Sequence, residues 1–177
     1  MTRPNVQPCF IVIMGVAGCG KSTIAKLTAD RLAWAFIEGD SLHPPINVEK
    51  MRQGTPLNDD DRSPWLRSIA RTIKRWRKEG KSGVVACSAL RRAYREIIAE
   101  GQDDVLFVHL HGDPELIARR LAERRGHFMP ADLLDSQIAT LERPMPDEHA
   151  ISLDIAASPE TLVDKVVQAI AGSIRTD

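Results

Sequence analysis

The sequence lacks an excess of charge of either sign. Its 177 residues contain 24 lysines and arginines and 24 aspartates and glutamates, so the formal net charge at pH 7 is zero. A protein whose main partner is a nucleic acid or an anionic membrane usually carries a broad basic field. The balance argues against both partners, and it predicts that any anion binding is local.

Cysteine is scarce as well, and no long apolar run is present. The three cysteines, Cys9, Cys19 and Cys87, are odd in number and form no CxxC pair, which is typical of reduced thiols rather than of a disulfide framework. No segment is long and apolar enough to cross a bilayer, and the first residues lack the apolar core of a signal peptide. We therefore expect a cytoplasmic protein.

Short apolar runs alternate with helical patterns along the whole chain, and no repeat or low-complexity linker divides them. This alternation predicts one α/β domain over residues 1–177, with a doubly wound, five-stranded parallel sheet between layers of helices. The predicted strands are Phe10–Met14, Ala35–Glu38, Gly83–Cys87, Val105–His111 and Ile151–Ala156.

Three predicted helices begin where a capping side chain precedes a proline, at Ser63-Pro64, Asp113-Pro114 and Ser158-Pro159. After the first of these starts, apolar residues recur at helical spacing, which predicts one buried face and one solvated basic face. The apolar set is Trp65, Leu66, Ile69, Ala70, Ile73 and Trp76.

A glycine-rich run follows the first predicted strand. Residues 15–22, Gly-Val-Ala-Gly-Cys-Gly-Lys-Ser, match the pattern GxxxxGK[ST], and a helical pattern opens at Ser22. Glycines let backbone N–H groups turn inward around an anion, and the following helix adds the positive end of its dipole. We expect a phosphate-binding loop in which Lys21 reaches the terminal phosphates and Ser22 binds Mg²⁺. The predicted nucleotide contacts are Gly15, Val16, Ala17, Gly18, Cys19, Gly20, Lys21, Ser22 and Thr23.

Carboxylates follow the second predicted strand in the run Glu38-Gly39-Asp40. Ligands of open α/β sheets bind beyond the carboxyl ends of the strands, so these side chains are candidates for the reaction centre. Asp40 is the candidate base that accepts the proton of a substrate hydroxyl, and Glu38 or Asp40 is the candidate to hold Mg²⁺ through water.

Polar side chains are also dense near the same predicted edge. One loop carries His43, a second carries Asp61 and Arg62, and the third strand is followed by a hydroxyl and several guanidiniums. Arginine suits recognition of a planar carboxylate. The candidate substrate contacts in this region are Asp40, His43, Asp61, Arg62, Ser88, Arg91 and Arg95.

A further basic pair lies after the fourth predicted strand. Arg120 and Arg124 are four residues apart and share one helix face, and they lead into residues 125–130. We interpret residues 124–131 as a mobile lid that brings an arginine, Arg124, onto the transferring phosphoryl group, with His127 as a further substrate contact.

Several blocks in one order resemble the gluconate kinase family over nearly the whole chain. They are residues 15–22, residues 39–44 with Asn47 and Lys50-Met51, residues 54–66, residues 87–90 with Tyr94-Arg95, and residues 120–128. The resemblance implies transfer of the γ-phosphate of ATP to the 6-hydroxyl of D-gluconate, a need for Mg²⁺, a fold like that of shikimate and nucleotide kinases, and a homodimer.

The resemblance also implies individual roles. It puts Arg120 against the adenine, Arg124 in the lid and Asp40 at the base position, and it counts Asp61, Arg62, Arg95 and His127 among the sugar-acid contacts. The chain departs from the usual family pattern at Ala17 and Cys19, where small hydroxyl residues are common, and at Arg91, where lysine is common.

Two alternative functions stay open at this point. The chain could be another small-metabolite kinase, of the shikimate or nucleotide type, or a nucleotide-binding switch without kinase activity. A guanine-specific switch would need an NKxD run, which the sequence lacks.

His109 and His111 alternate onto one strand face without a third ligand at metal spacing, so we interpret them as satisfied sheet histidines.

Overall fold

The computed structural model describes residues 9–123 and 131–173. Arg124, His127 and residues 124–130 of the predicted lid lie outside these ranges. The described helices are α1 (Lys21–Leu32), α2 (Pro45–Arg52), α3 (Asp59–Lys78), α4 (Arg92–Ala99), α5 (Pro114–Glu123), α6 (Ala131–Thr140) and α7 (Pro159–Ser173). None of the helices in these ranges combines the length and apolarity that crossing a bilayer requires.

Five parallel strands form one sheet in the order β2-β3-β1-β4-β5, which confirms the predicted fold class. The strands are β1 (Phe10–Met14), β2 (Ala35–Glu38), β3 (Gly83–Ala86), β4 (Val105–His111) and β5 (Ala150–Asp154). Three predicted bounds were wrong. β3 ends one residue before Cys87, and β5 begins one residue before Ile151. β5 ends at Asp154 because its carboxylate accepts the N–H of Ala156 and closes a turn.

The sheet is covered on both faces. Every side chain of β1 is buried, and alternate residues contribute to two separate cores, as expected of a central parallel strand. Ile11 and Ile13 pack toward α1 and α7, whereas Phe10, Val12 and Met14 pack toward α3. The predicted apolar face of α3 is confirmed, since all six of its residues are buried.

The predicted start of α3 was wrong, whereas the starts of α5 and α7 are confirmed. Helix α3 begins at Asp59 rather than at Pro64. The side chain of Asn58 accepts the N–H of Asp61 at 2.8 Å, and the Asp61 carboxylate accepts the N–H of Asn58 at 3.2 Å. This reciprocal capping box satisfies two free N–H groups, so the helix starts there and continues through Pro64.

Parallel strands bring their carboxyl ends to one edge of the sheet. The glycine-rich run follows β1, and Cys87 and Ser88 follow β3. Glu38 is the last residue of β2, and Asp40 follows in a short 3₁₀ helix (Gly39–Leu42). The fold therefore gathers the predicted phosphate loop and the predicted acidic residues at the same edge.

Candidate active site

The glycine-rich loop, residues 15–22, depends on backbone conformations that glycine favours. Gly15, Gly18 and Gly20 have φ angles of 142°, 83° and 96°. A Cβ on Gly15 would lie 2.6 Å from the carbonyl oxygen of Leu110, so a larger residue would also clash there. The loop leads directly into α1, whose N-terminus faces the open edge. This is the backbone arrangement that binds phosphate.

Lys21 lies over its own loop, where its Nζ donates to the carbonyl oxygen of Val16 at 3.0 Å. Ser22 and Thr23 are exposed in the first turn of α1. Cys19 is buried, so its side chain lies within the protein rather than at the mouth of the loop. The ammonium and hydroxyl groups that the sequence assigns to phosphate and Mg²⁺ thus lie at the mouth of the loop.

A cavity of about 320 Å³ opens beside the loop. It is lined by Gly18, Cys19, Gly20, Thr23, Ile24, Arg120, Glu123, Ile155, Ala157, Pro159 and Leu162. Arg120 crosses from α5 and donates from its guanidinium to the carbonyl oxygen of Ile155 at 3.1 Å. The lining combines apolar side chains with the charged Arg120 and Glu123, a mixture that suits an aromatic ring system with polar edges.

Three charged groups converge near the end of β3. Burial raises the pKa of the Cys87 thiol to about 12; the nearby carboxylates of Asp40 and Glu38 add to the rise, whereas the Lys21 ammonium opposes it. Asp40, Glu38 and Lys21 are therefore all within electrostatic range of the Cys87 thiol. The thiol itself stays protonated and behaves as a small buried apolar group.

Trp65 of α3 fixes the backbone before Asp40. Its indole N–H donates to the carbonyl oxygen of Gly39 at 2.8 Å, and its ring stacks on His43 with centroids 4.1 Å apart. Burial lowers the pKa of His43, Asp40 opposes the change, and Arg62 adds to it. His43 is therefore a neutral ring at pH 7, within electrostatic range of the Asp40 carboxylate and the Arg62 guanidinium.

Asp61 connects α2 to the start of α3. Its carboxylate accepts a hydrogen bond from Lys50 at 2.6 Å besides the capping contact with Asn58, and these bonds lower its pKa. Asn47 donates to the Asp61 carbonyl oxygen at 2.7 Å. Both oxygens of the carboxylate are thus engaged within the protein. Asp61 therefore joins α2 to the start of α3, in addition to its predicted substrate contact.

Asp59 and Tyr94 form a cluster that the sequence predictions do not include. The Tyr94 hydroxyl donates to Asp59 at 2.5 Å, and Arg91 donates to the other carboxylate oxygen at 2.9 Å. Arg62 donates to the Tyr94 hydroxyl oxygen at 3.4 Å, and its guanidinium lies 5.8 Å from the centroid of the Tyr94 ring. Both residues fall inside blocks of the family resemblance, which is the signal that could have singled them out.

Arg95 has a different position from the predicted one. Its side chain is 2% exposed, its Nε and one terminal nitrogen bind the Glu148 carboxylate, and its other terminal nitrogen donates to the carbonyl oxygens of Ala89 and Leu90. Each nitrogen of the guanidinium already donates within the fold. The expectation that Arg95 offers a free cation to a substrate carboxylate is therefore corrected.

Two further predictions concern the neighbouring strands. Ser88 contacts the loop through its carbonyl oxygen, which accepts the N–H of Gly15 at 3.2 Å.

His109 is 1% exposed and its Nδ1 lies 3.4 Å from the Ser152 hydroxyl, but its Nε2 has no hydrogen-bond partner among the described residues. The interpretation of a fully satisfied histidine was therefore wrong for His109.

A phosphate loop between a parallel strand and a helix, faced by carboxylates of the adjacent strand, defines a P-loop kinase. A sequence model of the family described as shikimate kinase matches residues 17–171. The gluconokinase of Gluconobacter oxydans is 45% identical over 94% of both chains, and a probable gluconokinase of Xenopus tropicalis is 46% identical over 89% of this chain and 90% of its own.

Solved structures agree with the sequence comparisons. The crystal structure of a gluconokinase from Sinorhizobium meliloti is 40% identical and superposes with a TM-score of 0.85, covering 95% of this chain and 94% of its own. The chain therefore belongs to the gluconokinase family, within the P-loop kinases of the shikimate kinase type.

Proposed function

We propose that the protein transfers the γ-phosphate of ATP to the 6-hydroxyl of D-gluconate, giving 6-phospho-D-gluconate and ADP. The observation that carries the proposal is that Asp40 is an exposed carboxylate at the same sheet edge as the phosphate loop. Two guanidiniums, Arg62 and Arg91, lie against the Tyr94 ring near the starts of α3 and α4. The relatives named gluconokinase, at 45% identity or close to it over most of the chain, support the same substrate.

Asp40 serves as the base in this proposal. It is exposed at the edge of the sheet, close enough to Lys21 for both to act on the Cys87 thiol. A carboxylate in this position orients the primary hydroxyl and accepts its proton as the phosphoryl group is transferred. Lys21 leaves the Val16 carbonyl and neutralises the terminal phosphates.

The carboxylate end of gluconate is assigned to Arg62 and Arg91. Both guanidiniums flank the Tyr94 ring at 5.8 Å, and neither is fully buried. Arginine binds carboxylates through paired donors, which glucose would leave unused. His43 is held flat against Trp65 within electrostatic range of Arg62 and Asp40, and we assign it to the polyol chain of the substrate.

The donor set fits Mg²⁺. Within the described ranges no group of three or more histidines, cysteines or carboxylates could hold a metal ion by itself. Mg²⁺ in kinases needs few protein ligands, since phosphate oxygens and water complete its shell. We assign the Ser22 hydroxyl to it directly and Glu38 or Asp40 through water. The bound ion would neutralise charge on the phosphates.

The nucleotide base is assigned to the cavity beside Arg120. Its volume and its walls suit an adenine ring, and its position next to the loop matches the path of a nucleotide from phosphates to base. Arg124 and His127 keep their predicted roles at the transferring phosphoryl group and the sugar acid. A homodimer and a cytoplasmic location also remain part of the proposal. Sedimentation velocity of the purified protein tests the homodimer.

A coupled assay of ADP release tests the function. Purified protein with Mg-ATP is offered D-gluconate, D-glucose, shikimate and nucleoside monophosphates in parallel. We expect gluconate to exceed glucose by ~10³-fold in kcat/KM, because glucose lacks the carboxylate that accepts charge-assisted hydrogen bonds, worth about 1.5–3 kcal/mol each, from the two guanidiniums. Equal turnover of gluconate and glucose contradicts the proposal, and turnover of shikimate or a nucleotide alone establishes another substrate class.

A matched pair of variants sharpens the assay. Arg62→Gln removes one guanidinium of the proposed carboxylate site and should raise KM for gluconate while leaving KM for ATP unchanged. Arg67→Gln, on the exposed face of the same helix, is the control and should behave as the parent protein. An unaltered KM for gluconate in Arg62→Gln would remove Arg62 from the site.

A further inference from the structure

The N–H groups of the phosphate loop divide into two sets. One set has acceptors inside the protein: Gly15 N–H donates to the Ser88 carbonyl, Cys19 N–H to the Val16 carbonyl at 3.3 Å, and Ala17 N–H to a side chain of α6. In residues 9–123 and 131–173, the N–H groups of Val16, Gly18, Gly20, Lys21 and Ser22 have no such acceptor. This second set is what the loop can offer to phosphate oxygens.

The acceptor for Ala17 is the side-chain oxygen of Gln137, at 2.6 Å. It joins residues 120 positions apart in the sequence. Leu134 precedes Gln137 by three residues and is buried in the same core cluster as Val16, and Leu141 follows by four and packs against that cluster. The helical spacing puts Gln137 on the inner face of α6, over the loop.

A turn explains why Ala17 needs a side-chain partner. The bond from Cys19 N–H to the Val16 carbonyl closes a four-residue turn, and Gly18 has φ 83° at its third position. These are the marks of a type II turn with Ala17 at the second position. The N–H of that residue is not used within the turn, so its acceptor must come from elsewhere. Gln137 supplies it.

We propose that Gln137 is a positioning residue for the nucleotide: its carboxamide oxygen fixes the Ala17 peptide, and thereby keeps the N–H groups of the second set turned toward the phosphates. Gln137 itself touches no phosphate in this role. The inference deepens the proposed function but rests only on its nucleotide half. It does not depend on which acceptor receives the phosphoryl group.

Gln137→Met tests the role, because methionine keeps the length of the side chain and loses its oxygen. Calorimetric titration with ADP, in the absence of any sugar, should show affinity weakened about 5- to 30-fold, the equivalent of one lost hydrogen bond to a partly buried donor. The KM for gluconate should stay within about twofold, since the bond lies on the phosphate side. The adjacent Ser136→Ala, at an exposed position of α6, is the control.

A double-mutant cycle separates this role from a general loosening of α6. Ala17→Pro removes the N–H, and proline is common at the second position of a type II turn, so the loop should keep its path. In the Ala17→Pro background, Gln137→Met should change ADP affinity by less than about twofold.

Three outcomes overturn the inference. The first is unchanged ADP affinity in Gln137→Met. The second is tighter ADP binding in that variant, which would make the glutamine a competitor of phosphate. The third is an equal loss of ADP affinity on Gln137→Met in the parent and in the Ala17→Pro background.

If Ala17→Pro does not fold, Gln137→Glu replaces it as the comparison. This variant keeps an acceptor oxygen, so its loss of ADP affinity should vanish at high salt, whereas the loss in Gln137→Met should persist. The ADP titration contains no sugar, so it tests the role of Gln137 even if the protein does not phosphorylate gluconate.

Discussion

Replacing Glu148 by glutamine tests whether Arg95 belongs to the fold or to the substrate site. The Arg95 side chain is 2% exposed and that of Glu148 is 10% exposed, and the two form a bidentate pair with an Nε to Oε2 distance of 2.5 Å. Glu148→Gln keeps the shape of the side chain and removes its charge. The Arg95 guanidinium then remains buried without a counter-ion.

The magnitude follows from burial. Breaking a buried ion pair by neutralising one partner costs about 3–5 kcal/mol, because the remaining charge stays desolvated and unpaired. The total free energy of unfolding of a domain is about 5–15 kcal/mol, so the variant should lose a large part of it. For a chain of this length we expect the melting temperature to fall by roughly 6–20 °C.

The control is an ion pair of the same helix. Glu96→Gln breaks the salt bridge to Arg92. The side chain of Glu96 is 64% exposed and that of Arg92 is 43% exposed, so this variant should leave the melting temperature nearly unchanged. Urea unfolding gives the free energy, and steady-state kinetics below the transition gives KM for gluconate. A stability loss below about 1 kcal/mol, or a large rise in that KM with the fold intact, would refute the assignment of Arg95 to the fold.

The remaining predictions concern the base and a buried histidine. Asp40→Asn should lower turnover by ~10² to 10⁴ with little change in ATP affinity, and loss of ATP binding with modest loss of turnover would move Asp40 to the metal instead. Burial lowers the pKa of His109 from 6.5 to about 4, with the nearby His111 and Arg143 adding to the effect. The unfolded chain therefore binds the proton first, and stability falls as the pH drops from 6.5 to about 4, by up to about 3 kcal/mol. In His109→Gln, urea unfolding at several pH values should show a flatter dependence in this window, and an unchanged slope would contradict the reasoning.

The strands could be predicted closely because both faces of a parallel sheet are buried. Uninterrupted apolar runs such as Phe10–Met14 leave few alternatives for a strand, and three of the five predicted strands match the structure at both ends. The start of α3 could not be predicted as well, since two capping signals compete within six residues. The Ser63-Pro64 pair is the simpler pattern, but the box of Asn58 and Asp61 satisfies more backbone groups and begins the helix earlier.

The partners of the site's side chains were beyond the reach of sequence patterns. Arg62 and Arg95 have the same residue type and both follow acidic or polar blocks, yet one faces the open edge and the other is buried against a glutamate 53 positions away. The burial of Arg95 depends on how the segment before β5, which carries Glu148, packs onto α4. Local sequence periodicity does not encode that packing. The same holds for Gln137, whose partner lies 120 positions away in the loop.

The structure also explains how a chain without net charge can bind two anions. The phosphate loop attracts its anion through backbone N–H groups and the dipole of α1, which add no formal charge. The proposed carboxylate site uses two guanidiniums, but Asp59 lies between them and Tyr94 donates to it, so the cations are already paired and oriented before a substrate arrives. Hydrogen bonding from Tyr94, aided by Arg91 and Arg62, holds the pKa of Asp59 low, so this internal counter-ion stays charged at neutral pH. Anion recognition at both ends is therefore local, and a polyol with a single carboxylate matches it better than a second phosphate, whose larger charge Asp59 would repel.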